Sequence, residues 1–160
     1  MTPARRRPRR VVQQPATIEV AVESRVPQRL ISNARARDIV RQALRHAGVR
    51  RAMVSVTFVS GRSIAQLNRT HLGKNGATDV ITFAFAPGAT DAPLVADVYI
   101  APDVARENAR AYNVAAREEM VRLLIHGALH AAGLEHPDSD GRTGSEMWRK
   151  QERLVRRALR

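Results

Sequence analysis

The chain has 160 residues, 44% of them hydrophobic and only 4% aromatic, enough for one core built mainly from Val, Leu, Ile and Ala, as suits an α/β protein with short strands. It has no cysteine, so disulfides and thiolate metal sites are excluded. No apolar run approaches the roughly 18 residues that span a bilayer, which makes a cytoplasmic protein with no membrane partner the expectation. A net charge of +12, carried by 25 Arg and 2 Lys, makes a polyanion the first partner to consider.

The elements follow in chain order. Five arginines fall in "RRRPRR" (Arg5, Arg6, Arg7, Arg9 and Arg10), and no periodicity follows them. Residues 1–16 therefore read as a disordered basic arm, either an RNA or ribosome tether or a solvated tail, and residues 17–160 as a single domain. "TIEVAVES" from Thr17 alternates Ile18, Val20 and Val22, the pattern of a half-buried strand. Residues 32–46 carry Ala36, Ile39, Val40, Ala43 and Leu44 at helical spacing, with Ser32 or Asn33 to cap the start and Gly48 past the end.

"RAMVSVTFVS" predicts a second strand, with Val54, Val56 and Phe58 on one face and Met53 and Val59 covering the other. A short helix over "SIAQLNRTH", a loop, and strands over "DVITFAF" and "LVADVYIA" come next, the first of these strands broken by Pro87 and Gly88. Pro102 and Asp103 suit a first helical turn. A second helix is expected over residues 115–132, ending at Gly133, and a third from Gly144 to the C-terminus. The expected architecture is a small mixed four-stranded sheet flanked by helices.

Three of the five histidines stand in "IHGALHAAGLEH". His126 and His130 are one helical turn apart on the same face, and Gly133 permits the reversal that returns His136 to them. Three imidazoles with a fourth position open to water match a catalytic rather than a closed structural zinc site, one Zn²⁺ per chain. Gly127 stands where the zincin HExxH pattern has its glutamate, so protease chemistry is not expected, whereas hydrolysis of a phosphodiester is compatible with such a site. Glu119 is about 10 Å along the helix from His126, too far to be a ligand. It reads as a group at the far end of a cleft or as a charge at a partly buried helix start. Glu135 and Asp138 read as partners of an imidazole N–H or as solvated loop residues. Thr78 and Asp79 read as loop-orienting or catalytic, and Asn68 as a helix-end or loop residue.

"HGALHAAGLEH" resembles the hallmark of the YbeY family, bacterial endoribonucleases that also act in ribosomal RNA maturation. "LNRTHLGKNGATDVITF", "VADVYIAPDVARENA", "EEMVRLLIHG" and "SEMWRKQERLV" are similar to further blocks of that family in the same order. The resemblance covers about residues 17–157. It implies zinc on His126, His130 and His136, cleavage of single-stranded RNA, maturation of the 3′ end of the small-subunit (16S) RNA and ribosome quality control. Its partners would be ribosomal RNA and the small ribosomal subunit, with no nucleotide cofactor. Members often carry an arginine where this chain has Leu72, so Arg69 or Lys74 would have to substitute for it. The alternative is a zinc-stabilised RNA- or ribosome-binding assembly factor with little cleavage. Ala96 replaces a usual glycine and Glu135 a usual aspartate, and no proton-transfer residue is singled out.

Overall fold

The computed structural model describes residues 15–27, 30–86, 88–89, 91–137 and 141–160. Nearly all of the expected basic arm, together with Pro87 and Asp138, lies outside the described residues. The elements run β1 (Thr17–Ser24), α1 (Asn33–His46), β2 (Arg51–Phe58), α2 (Gly61–Leu72), β3 (Val80–Phe85), β4 (Leu94–Ile100), α3 (Pro102–Ala111), α4 (Ala116–Ala131) and α5 (Glu146–Ala158). A 3₁₀ turn over Arg142–Gly144 leads into α5.

The four strands form one mixed sheet, as expected, and their order is β1-β2-β4-β3. β1, β2 and β4 are parallel, and β3 pairs antiparallel with β4 along the edge. The parallel pairs are linked through helices, since a parallel crossover cannot be made by a tight turn. Ser32 caps α1 by accepting from Arg35 N–H, and Ser60 caps α2 by accepting from Ser63 N–H, so α2 begins earlier than the apolar spacing suggested. Asp103 in the first turn of α3 reaches back to the start of α2, its Oδ2 accepting from Gly61 N–H at 2.8 Å.

One face of the sheet carries the main core. Val54, Val56 and Phe58 of β2 point into it as the alternation required, packed with Leu44 of α1 and with Leu124 and Leu129 of α4. Each fully buried side chain of this size contributes about 1.5–3 kcal/mol. On the opposite face α2 covers only part of the sheet, through a smaller cluster of Val59, Ile64, Ile81 and Ala101. Val59 is buried there as expected, but Met53 is 53% exposed, because the cover on its side of the sheet stops short of it. Alternation assigns residues to faces without saying which face is covered.

α4 is the element around which the rest is arranged. Residues on most of its circumference are buried, from Glu119 and Met120 through to Ala131, and it packs on α1, α3, α5, β3 and β4. It meets the sheet at Gly127. A Cβ there would lie 2.6 Å from Val98 Cγ1 and 3.3 Å from Thr82 Oγ1, so only glycine fits at this separation. The Thr82 hydroxyl donates to the Gly127 carbonyl at 3.3 Å across the same contact. Among the described residues no helix is long and apolar enough to cross a membrane.

Gly127→Ala tests this contact. Alanine gains roughly 1 kcal/mol of helix propensity, yet the overpacking costs more, and a net loss of about 1–2 kcal/mol in urea unfolding is expected. The same substitution made in a Val98→Ala background is expected to cost less, because the methyl group it would strike is gone.

Candidate metal centre

The three histidines meet at the C-terminal end of α4. His126 and His130 stand one turn apart, with ring centroids 4.5 Å from each other. Gly133 adopts φ +86°, its N–H returning to the His130 carbonyl and that of Leu134 to Leu129, which closes the helix and sends the chain back. The reversal puts the His136 ring 5.1 Å from that of His126 and 4.9 Å from that of His130. One nitrogen from each ring lies within 4.8 Å of the other two, a set that could hold a metal ion.

Hydrogen bonds fix which nitrogens are free. His126 Nδ1 is 2.7 Å from Gln151 Oε1, and His136 Nδ1 is 2.9 Å from the Pro137 carbonyl, so both Nδ1 atoms carry the proton and donate it. His130 Nδ1 faces Glu135 Oε2 at 3.5 Å. The Nε2 atoms of His126 and His136 are then left with a lone pair. That of His136 faces His130 Nε2 at 3.2 Å, close enough for the two nitrogens to share a proton or a cation. Two ligands at about 2.0–2.1 Å from a tetrahedral ion stand roughly 3.3 Å apart, so the donor set fits zinc.

The electrostatics agree. Burial pushes the pKa of His126 down to about 4, against the opposing hydrogen bond that it donates to Gln151, and the positive charges of its neighbours add to the fall. Burial also lowers that of His130, with Glu135 offsetting part of the effect. Neutral imidazoles are the form that binds metal.

Gln151 is 1% exposed and comes from α5, one helix away from the ring it orients. Nothing in the sequence singled it out, because a polar residue on an amphipathic helix reads as solvent-facing until the packing partner is known. Glu135 is 79% exposed on its side chain yet still faces His130, so both of its readings hold together.

An open cleft of about 620 Å³ runs beside the histidines, bounded by β3 and by Leu72, Lys74, Thr78 and Asp79. Leu72 is 47% exposed at this cleft, and Lys74 lines it, whereas Arg69 is not among its lining residues. Asp79 accepts from Asn108 Nδ2 at 2.9 Å, which ties the loop to α3. Asn68 is buried and donates to the Gly76 carbonyl at 3.1 Å, the loop-holding role expected of it.

Glu119 is 5% exposed and belongs to an ionic cluster under the histidines. Arg122 donates from Nη1 to Glu119 at 2.7 Å, from Nη2 to Glu118 at 2.9 Å and from Nε to Glu152 of α5 at 2.9 Å. Burial works against the Arg122 charge, and the three carboxylates outweigh it, raising its pKa. For Glu152, burial alone would raise the carboxyl, but hydrogen bonds from Arg122 and Gln151 hold it below the usual range. Glu119 also lines a second cavity, of about 430 Å³, which reaches His126 as well.

Comparison with known proteins gives a consistent set of relatives. The sequence profile described as Endoribonuclease YbeY matches residues 21–158. The Endoribonuclease YbeY of Bacillus subtilis is 37% identical over 113 residues, 65% of this chain and 71% of that protein. That of Chlorobium phaeobacteroides is 30% identical over 128 residues, 80% of this chain and 89% of that protein. The solution structure of a Thermotoga maritima protein matches with a TM-score of 0.61 at 26% identity, over 88% of this chain and 89% of that one.

The ionic cluster is tested by Arg122→Met, which strands Glu119 in the interior without its counter-ion. A loss of about 3–5 kcal/mol in urea unfolding at neutral pH is expected. Glu152, held below its ordinary 4.5, contributes stability that is fully present above that value and is lost as the pH falls through its lower folded value. The variant lacks that contribution, so acidification should narrow the gap between it and the parent chain.

Proposed function

This chain belongs to the YbeY endoribonuclease family, and on that premise we propose that it is a zinc-dependent, single-strand-specific endoribonuclease of the cytoplasm. Its substrate is ribosomal RNA, and its place is late maturation of the 3′ end of the small-subunit (16S) RNA and ribosome quality control. The small ribosomal subunit is then its partner, and residues 17–160 form the single YbeY-like domain that carries the activity. The observation that carries this reading is the set of three imidazoles whose Nδ1 atoms are engaged and whose Nε2 atoms converge.

His126, His130 and His136 would hold one zinc ion. Bound there, zinc supplies a Lewis acid for a water nucleophile and for the charge that develops on a phosphoryl oxygen. The chain's own residues do the rest. Gln151, the Pro137 carbonyl and Glu135 hold the rings in the required tautomer. Lys74 and Arg142 bring positive charge to the cleft wall, where a phosphate backbone would lie. Gly127 leaves no side chain beside the histidines to act as a protease base. The open cleft suits a flexible single strand, which can bend into it as a stiff duplex cannot.

A second reading, an assembly factor that holds RNA without cutting it, is favoured by Leu72, which puts an apolar side chain on the cleft. Two experiments decide. Purified protein should carry about one zinc per chain, and His126→Ala with His130→Ala should abolish both the metal and the cleavage of ribosomal RNA; cleavage that survives without metal overturns the reading. Leu72→Arg is expected to raise cleavage at least tenfold, about 1.4 kcal/mol of transition-state stabilisation. If neither chain cuts while both bind RNA with a steep salt dependence, the binding factor is the better description.

A further inference from the structure

The second cavity beside His126 has a composition that the metal site does not explain. Its floor is α4, and its walls come from α3 and from α5 with the turn before it. The whole chain has one tryptophan and two tyrosines, and this cavity is lined by that tryptophan, Trp148, and by Tyr112. Tyr112 is 72% exposed at the end of α3, so its ring contributes little to the core. The Arg142 guanidinium lies 5.9 Å from the centre of the Trp148 ring. Among the described residues Arg142 has no ion-pair partner. Asp79, Val80, His126 and Arg142 line both this cavity and the histidine cleft, so the two spaces adjoin.

We propose that this cavity is a subsite for one unstacked nucleobase of the RNA strand that crosses the histidine cleft. The proposal rests on the RNA reading above and deepens it. Aromatic rings and guanidinium planes are the surfaces on which unpaired bases stack, and stacking is tolerant of base identity. The floor sets the polarity of the occupant. Glu119 and Glu152, which both line it, against the single guanidinium of Arg122 leave it acidic, so a phosphate is rejected there and the neutral end of a nucleotide enters. Its phosphate stays at the rim with Arg142, next to His126. The volume, about 430 Å³, lies within the range of roughly 300–1,000 Å³ common to small-molecule pockets. A base held in a helix stack cannot reach this space, so the subsite itself selects for single strands.

Trp148, the only tryptophan, is a built-in reporter. The full chain, kept metal-free with a chelator so that nothing is cut, is titrated with a short oligoadenylate and with an abasic ribose-phosphate oligomer of the same length. The oligoadenylate is expected to quench the tryptophan emission to saturation and the abasic oligomer to leave it nearly unchanged. Tyr112→Ala should weaken oligoadenylate binding about tenfold while Tyr112→Phe keeps it, as a stacking contact requires. Equal quenching and affinity for the two oligomers, or undiminished binding by Tyr112→Ala, overturns the subsite. The two proposals fail separately. Quenching by RNA that the zinc-loaded chain never cleaves leaves the subsite standing and removes the nuclease. Cleavage without quenching and without any effect of Tyr112→Ala removes the subsite and leaves the nuclease.

Discussion

The contact between α4 and the sheet at Gly127 sets the geometry on which the rest depends. A helix usually stands off a sheet by the thickness of its side chains. Here one residue has none, Val98 and Thr82 fill the gap, and the helix is held by a hydroxyl on its own carbonyl. His126 and His130 flank that point, so their positions are fixed by backbone packing and not by loop conformation. This is the rigid support that a ligand set needs, since small misplacements of a coordinating group are costly.

Around that contact the structure is layered by charge. Burial disfavours the charged form of His126 and His130, and near them lies a cluster with more carboxylates than cations. Arg122 joins two neighbours on its own helix to Glu152 on α5, and Gln151, the residue beside Glu152, holds His126. α5 thus closes the core, shares in the ion cluster and orients a ring, three tasks that couple its docking to the integrity of the centre. The chain as a whole has the opposite character, with a net charge of +12.

Much of this was legible in the sequence, and the limits have physical causes. Period-2 and helical spacing located all four strands and the helices, because both patterns follow from which residues must be buried. The three histidines were legible because their spacing is local: one helical turn, then a glycine-ended reversal. What depends on long-range packing was not. Met53 obeyed its alternation but faced a side of the sheet that α2 leaves bare. Glu119 read as a helix-start charge or a cleft residue, and it is both buried and paired, since its partner Arg122 was visible nearby while Glu152 was thirty residues away. Gln151, Arg142 and Trp148 carried no signal of their own. Gln151 meets His126 only because α5 docks on α4.

β3 has a consequence beyond its place in the sheet. It forms an edge, and its outer side pairs with no strand among the described residues, while Val80, Ile81, Thr82 and Ala84 border the cleft. A bare edge invites association with other chains, and proteins commonly blunt one with a charged side chain, a bulge or a covering segment. Any such guard here would narrow the approach to the histidines. The protein therefore keeps its entrance open along an unpaired sheet edge, and the high net positive charge, which makes copies of the chain repel one another, serves as the protection that this edge itself cannot carry.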